Sequence, residues 1–404
     1  MRRVSRLGTV LGVCTALLGG AVTAGANAQP GQEQPELQQA LDKVVAGGVP
    51  GSYATVDGMD EWSGASGVGD LRTGTQPDAE GQFRVASVTK TVVATTVLQL
   101  AAEGEFDLDD KIANYLPGLL PYDDQPITIR QLLQHTSGVP RDIVHWEVPA
   151  DLDTKRFEHF EPEELVKLAT DDQPLLFPPG EGWSYSNIGY TTLGLLVEEV
   201  TGHPLAAELT KRIFAPLGLR DTFFADQFPF VPRPAARGYE QVYEGKPRTD
   251  VTTYRHSRLW ASGNIVSTAD DLNTFFAALL GGKLLPEAQL TEMKATVPVS
   301  DDPGAFEYGL GLMKLPSSCE GDGWWGHAGD TAGYHTMSMH TEDASRQVST
   351  GMNQDISAPM EASQAILQDV LPAALCENPA QAREQDAPYS VPTLPYLGPN
   401  HSVN

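Results

Sequence analysis

Phe83-Arg84-Val85-Ala86-Ser87-Val88-Thr89-Lys90 runs directly into Thr91-Val92-Val93-Ala94-Thr95-Thr96-Val97-Leu98-Gln99-Leu100-Ala101-Ala102-Glu103-Gly104. A serine opens an apolar segment of helical length, a lysine stands three residues on, and a glycine closes it. Residues three apart on a helix share a face, so the Lys90 amine is within reach of the Ser87 hydroxyl. A serine hydroxyl is a weak nucleophile until a base takes its proton, and an amine sunk into an apolar helix has its pKa lowered toward that task. The helix N-terminus adds unpaired N–H groups and a positive dipole end, which favour negative charge growing beside Ser87. The spacing alone is weak, because S-x-x-K arises by chance about once in a chain of this length.

The 404 residues, 41% of them hydrophobic, can bury a large core, either as one domain with an insertion or as two domains sharing an interface. Arg2, Arg3 and Arg6, an uncharged stretch from Leu7 to Gly20, and Ala26-Asn27-Ala28 read as a secretory leader cut after Ala28. Gly, Ala and Thr dilute that stretch too much for a membrane anchor, so a secreted, extracellular monomer is expected. The formal net charge of −26 excludes nucleic acid as a partner. Once Cys14 leaves with the leader, Cys319 and Cys376 remain as a pair in an oxidising compartment. They are predicted to form a disulfide, the alternative being two free buried thiols. The nine histidines show no H-E-x-x-H or similar spacing, and His335 and His340 fall on opposite sides of a strand; no metal and no cofactor are expected.

In chain order, the spacing predicts a helix over 36–46, a hairpin over 51–58 and 61–71, and then the serine helix. Helices follow at 109–115, 129–134, 162–169, 188–201 and 205–214. Residues 221–251 give no clear signal. A strand is expected at 262–267, helices at 268–280 and 286–294, strands at 308–315, 333–340 and 347–352, and a last helix at 360–375. Strands at both ends with helices between imply an α+β fold. Its mixed or antiparallel sheet is flanked by N- and C-terminal helices and carries an inserted, mainly α domain. The sheet part covers about 35–85 and 255–376, the insert about 86–254, and 377–404 is a Pro-rich disordered or processed tail.

Two further stretches complete a site. Tyr185-Ser186-Asn187 lies after the Pro178-Pro179-Gly180 turn and just before a helix, where a phenol and a carboxamide can point into a cleft. Tyr185, its pKa lowered by Lys90, can take the serine proton and hand it on, and Asn187 can bond a substrate amide. Whether Lys90 or Tyr185 is the base stays open. In Trp325-Gly326-His327-Ala328-Gly329-Asp330, small residues let a substrate lie along a strand edge. The Asp330 N–H can face that of Ser87 to form an oxyanion hole, and His327 can bond the tyrosine or donate a proton.

Ser87-x-x-Lys90, Tyr185-x-Asn187 and His327-x-Gly329, in this order, resemble the penicillin-recognising serine hydrolases, specifically secreted serine DD-carboxypeptidases and class C β-lactamases. The likeness extends over about 35–376 and takes in Tyr308-Gly309-Leu310-Gly311-Leu312, Tyr115-Leu116-Pro117-Gly118-Leu119-Leu120-Pro121, His135-Thr136-Ser137-Gly138 and the cysteine pair. It implies a β-lactamase/transpeptidase-like fold and an acyl-enzyme on Ser87, with Lys90 and Tyr185 catalytic. It places Asn187, His327, Ala328, Gly329 and Asp330 at the substrate, and implies activity as a D-alanyl-D-alanine carboxypeptidase on peptidoglycan stem peptides, acylated by β-lactams. Two positions depart from the pattern. Ala328 stands where the family carries a hydroxyl, and Met313, followed by Lys314, stands where the related carboxypeptidases place a carboxylate-binding arginine. These departures open the alternatives of a D-aminopeptidase or esterase on the same fold, and of a catalytically silent penicillin-binding sensor.

Overall fold

The computed structural model describes residues 34–378, apart from 59–60, 143–149, 303, 318 and 320–322. The leader and nearly all of the Pro-rich tail lie outside the described residues.

In chain order the strands are β1 (Gly51–Gly58), β2 (Trp62–Gly67), β3 (Phe83–Arg84), β4 (Phe223–Phe224), β5 (Tyr239–Glu240), β6 (Thr249–Asp250) and β7 (Ile265–Ser267). They continue as β8 (Val297–Pro298), β9 (Glu307–Tyr308), β10 (Met313–Leu315), β11 (Trp324–Thr331), β12 (Tyr334–His340) and β13 (Arg346–Met352). Eight of them form one antiparallel sheet in the order β2-β1-β13-β12-β11-β10-β9-β8. Strands from both chain ends meet toward one edge of it, where β1 pairs with β13 from Ser52↔Met352 to Gly58↔Arg346.

Alternation along β1 sends its side chains into two cores. Ala54 and Val56 pack with Leu41 and Val44 of the Pro35–Ala46 helix and with Ile366 and Leu371 near the C-terminus. Tyr53 faces the other way, into a core shared with Val93, Val97 and Leu98 of the serine helix and Phe276 of the Ala269–Leu280 helix. The serine helix, Thr89–Glu103, is buried on every side from Thr89 to Leu98. Its threonines tolerate this because each hydroxyl finds a backbone partner: Thr91 donates to the Gly311 carbonyl, Thr95 to that of Thr91 and Thr96 to that of Val92, while Thr89 accepts Ile265 N–H.

The expected α+β arrangement is what folds, with terminal helices on one face of the sheet and a helical region inserted between β2 and β8. Local differences have identifiable causes. The helix expected at 109–115 shrinks to one turn at Ile112–Asn114, because Ile112 N–H bonds the Ile127 carbonyl. The strand expected at 308–315 is split into β9 and β10, since Gly311 takes φ +77°. Of the strand expected at 262–267, only β7 remains, preceded by a helical turn at Trp260–Gly263. Trp324–Thr331 is a full strand that the pattern did not reveal. It is buried on both faces, so its residues do not alternate. The last helix runs from Met360 to Leu375 through a wide turn at Ile366–Val370, just before Pro372, which has no N–H to give. Cys376, at its end, is joined to Cys319 in a disulfide.

Candidate active site

β3 pairs with β7 through Phe83↔Ser267 and Arg84↔Val266, and Val85 N–H extends the pairing to the Ile265 carbonyl at 3.1 Å. The chain then turns sharply. Ala86 takes φ +46°, a conformation few non-glycine residues adopt, and a single 3₁₀ turn over Ala86–Val88 leads into the helix. Ser87 stands at this corner, 8% exposed.

Lys90 Nζ lies 3.0 Å from Ser87 Oγ and donates to the Ser262 carbonyl at 2.7 Å. Its side chain is fully buried, and burial holds its pKa well below that of a free lysine. The Arg141 charge adds to this effect, while Asp142 and Asp330 oppose it.

Tyr185 reaches the same place because His135 clamps its loop. His135 ends the Ile129–Gln134 helix at φ +63°; its carbonyl accepts Ser184 N–H at 2.9 Å and its Nδ1 accepts Ser186 N–H at 3.0 Å. The two rings sit 4.3 Å apart. Burial, then the Lys90 charge, hold His135 well below the usual histidine range, which keeps Nδ1 an acceptor. Lys90 Nζ is 4.7 Å from the Tyr185 ring centre. Burial raises the phenol's pKa, and the nearby Ser87 hydroxyl, without reaching hydrogen-bond geometry to it, only partly opposes the rise. The expectation that Lys90 lowers the Tyr185 pKa is therefore reversed: desolvation outweighs the neighbouring amine, which is itself easily neutralised.

Asn187 opens the Asn187–Thr201 helix, which Ser186 caps by accepting Gly189 N–H at 2.9 Å. Asn187 Nδ2 donates to Asp142 at 2.8 Å, and its Oδ1 is buried. Behind it, Tyr190 donates to the Leu133 carbonyl at 2.8 Å.

β11 forms the opposite wall. A Cβ on Gly329 would stand 2.2 Å from the Val85 carbonyl oxygen, so only glycine lets this strand touch the serine turn. His327 does not bond Tyr185. Its Nδ1 pairs with the Ala328 carbonyl at 2.5 Å and its Nε2 with the Tyr308 hydroxyl at 2.9 Å. Burial and the Lys90 charge push its pKa down to about 3, so the ring is neutral and no ready proton donor. The Ala328 methyl lies in the core with Met313, whose sulfur accepts Ala328 N–H at 3.4 Å. Met313 is fully buried and cannot touch a substrate.

The Asp330 carboxylate accepts from His335 Nδ1 at 2.7 Å, and Asp355 stands 3.4 Å from the same nitrogen. Among the described residues these three bring their ligand atoms within 4.8 Å of one another. A 2.7 Å contact is that of a shared proton, tighter than two ligands around an ion at about 2.0–2.2 Å from each allow. Burial works against a charged ring, but the bonds to Asp330 and Asp355 outweigh it and raise His335 to about 10.

Thus Ser87, Lys90, Tyr185 and Gly329 come together, whereas Ala328 and the Asp330 side chain turn into other packing. Sequence reasoning gave no role to His135, Tyr308, Ser262 or Arg141. His135 was legible only as part of a quoted motif, and Ser262 carried no signal at all.

Residues 37–371 match the family described as Beta-lactamase. The chain belongs to the beta-lactamase family. Curated relatives that it matches within this family include penicillin-binding proteins and an esterase. The crystal structure of a D-stereospecific amidohydrolase from Streptomyces sp. superposes with a TM-score of 0.75 at 36% identity, covering 83% of this chain and 98% of that one. Esterase EstB of Burkholderia gladioli is 36% identical over 177 residues, 41% of this chain and 44% of its own. Penicillin-binding protein 4* of Bacillus subtilis (strain 168) is 30% identical over 271 residues, 65% of this chain and 58% of its own. The chain spans about half the length of the curated relatives it matches.

Proposed function

We propose that this chain hydrolyses amide bonds of D-configured substrates, the D-Ala-D-Ala ends of cell-wall peptides among them, through an acyl-enzyme on Ser87. One observation carries the reading: a buried, easily neutralised amine 3.0 Å from the serine hydroxyl. Lys90 takes the proton as Ser87 Oγ attacks the carbonyl carbon. The N–H groups of Ser87 and Asp330 receive the oxyanion, each such donor contributing about 10²–10³ in rate. Tyr185, which holds its proton, gives it to the leaving nitrogen and is recharged from the Lys90 ammonium. Water then attacks the ester, losing its proton to Lys90, and the Lys90 ammonium passes that proton to Ser87 Oγ as the C–O bond breaks and the acid product leaves. Asn187 and the β11 edge position the acyl chain. Similarity to a D-stereospecific amidohydrolase along nearly its whole length supports the substrate class. Export to an oxidising compartment is part of the reading, supported by the Cys319–Cys376 bridge.

The test is a substrate panel of an N-acylated D-Ala-D-Ala peptide, D-alanine amide and a short-chain nitrophenyl ester, run on wild type and Ser87→Ala. Labelled penicillin with mass spectrometry locates the acylated residue. Turnover of the first two, lost in Ser87→Ala, is expected. Turnover of the ester alone would replace the amidohydrolase by an esterase, and neither turnover nor adduct would leave a silent scaffold.

A further inference from the structure

We propose that Arg141 selects substrates bearing a free carboxylate next to the scissile bond, a role that rests on acyl transfer at Ser87. Its carbonyl accepts the N–H groups of Asn187 at 2.9 Å and Ile188 at 3.3 Å, which ties the residue to the start of the helix behind Tyr185. Its guanidinium carbon lies 5.2 Å from the Tyr185 ring centre, the same ring that Lys90 Nζ approaches to 4.7 Å. The side chain is partly exposed.

Arg130, Arg156, Arg212 and Arg237 each pair with a carboxylate. No carboxylate among the described residues lies within ion-pair distance of Arg141, although the chain carries a net charge of −26. The adjacent Asp142 is bonded by Asn187 and sits 3.6 Å from Arg258. A guanidinium beside the reacting groups, with no acid of its own among the described residues, presents a planar fork suited to a carboxylate. One residue spans about 3.8 Å, so the carboxylate of a single leaving residue stays within reach of the cleft wall. Neither neighbour along β10 supplies such a cation: Met313 is buried, and Lys314 Nζ lies over Trp325 at 5.4 Å.

The experiment compares kcat and KM for an N-acylated D-Ala-D-Ala peptide with a free C-terminal carboxylate and for its C-terminal amide, in wild type, Arg141→Gln and Arg141→Lys. Wild type is expected to favour the acid at least about tenfold. Arg141→Gln should cost the acid at least about tenfold more in kcat/KM than the amide, mainly through KM, and Arg141→Lys should recover part of it. Equal losses on both substrates, or a wild type that does not distinguish them, overturn the inference. If the nitrophenyl ester reacts through Ser87 while both peptides stay intact, the inference fails and the acyl transfer stands. If no substrate reacts and penicillin leaves Ser87 unmodified, the underlying reading fails and takes this one with it.

Discussion

Lys90 Nζ stands 4.7 Å from the centre of the Tyr185 ring, and burial drives the two groups in opposite directions: the ammonium releases its proton more readily than a free lysine, the phenol holds its proton more tightly than a free tyrosine. Two groups that would compete for one proton in water are thereby sorted into a base and an acid. The helix supplies the first by being buried on every side, and the His135 clamp supplies the second by drawing the Trp183–Asn187 loop into the same apolar pocket.

Replacing Lys90 separates its chemistry from its packing. Lys90→Met fills a similar volume without a buried amine, so activity should fall by about 10³-fold or more, while the melting temperature stays level or rises. In wild type the depressed pKa costs stability below the ordinary lysine value of 10.5, and that cost fades as pH climbs toward it. Stability should therefore rise with pH across that interval in wild type relative to Lys90→Met. The acid limb of kcat/KM should likewise lie well below the range of a free lysine. Thermal melts and pH–rate profiles of both proteins check this, and an active Lys90→Met enzyme would remove Lys90 from the mechanism.

Gly329 tests whether β11 must touch the serine turn. In Gly329→Ala the added methyl meets the Val85 carbonyl at 2.2 Å, and overpacking of this kind costs about 1–3 kcal/mol. Relief requires moving either the strand or the turn that aims Ser87, and small displacements of reacting groups cost about 10²-fold in rate. A folded Gly329→Ala protein with kcat/KM down by about that factor is expected. Undiminished turnover in steady-state assays would show that β11 does not position the reaction.

The parts of this architecture that sequence revealed are those with a local signature. The serine helix has length, apolar content and a closing Gly104 at φ +85°, and the terminal helices carry clear periodicity. What stayed hidden is set by tertiary contact. β11 is buried on both faces and loses its alternation, the Gly309–Leu312 corner breaks a strand-like run against the serine helix, and the Trp260–Gly263 turn exists to bring the Ser262 carbonyl to Lys90. The site reads similarly. Spacing finds Ser87 and Lys90 together, but nothing local tells that burial makes Tyr185 a stronger proton holder or that Asp330 spends its carboxylate on His335.

His335 gives a pH signature of opposite sign. Its pKa rises to about 10 in the folded protein from an ordinary 6.5, so its stabilising charge is fully present below about pH 6.5 and is lost as pH climbs through 10. His335→Gln should melt lower than wild type at pH 6, and the gap should narrow steadily toward pH 10. Melting temperatures of both proteins across that range decide it. A gap independent of pH would mean that the ring is uncharged and that the Asp330 contact is a neutral hydrogen bond.

The Cys319–Cys376 bridge ties the segment between β10 and β11 to the end of the last helix, across 57 residues of chain. Closing a loop of that length removes denatured-state entropy worth about 4 kcal/mol at 25 °C. Cys376 packs in the core of the terminal helices, whereas the serine turn and its helix belong to the core on the other side of the sheet. Loss of the bridge should therefore weaken the fold while leaving Ser87 and Lys90 in place, and Tyr185, which shares the core of Cys376, is held separately by the His135 clamp. The double variant Cys319→Ser, Cys376→Ser is expected to unfold at markedly lower denaturant concentration while keeping kcat within about twofold at 25 °C. Denaturant titration alongside initial-rate assays measures both. A variant as stable as wild type would show that the intervening β11–β13 strands hold the sheet edge without it, and a large fall in kcat would place the bridge in the support of the β11 wall.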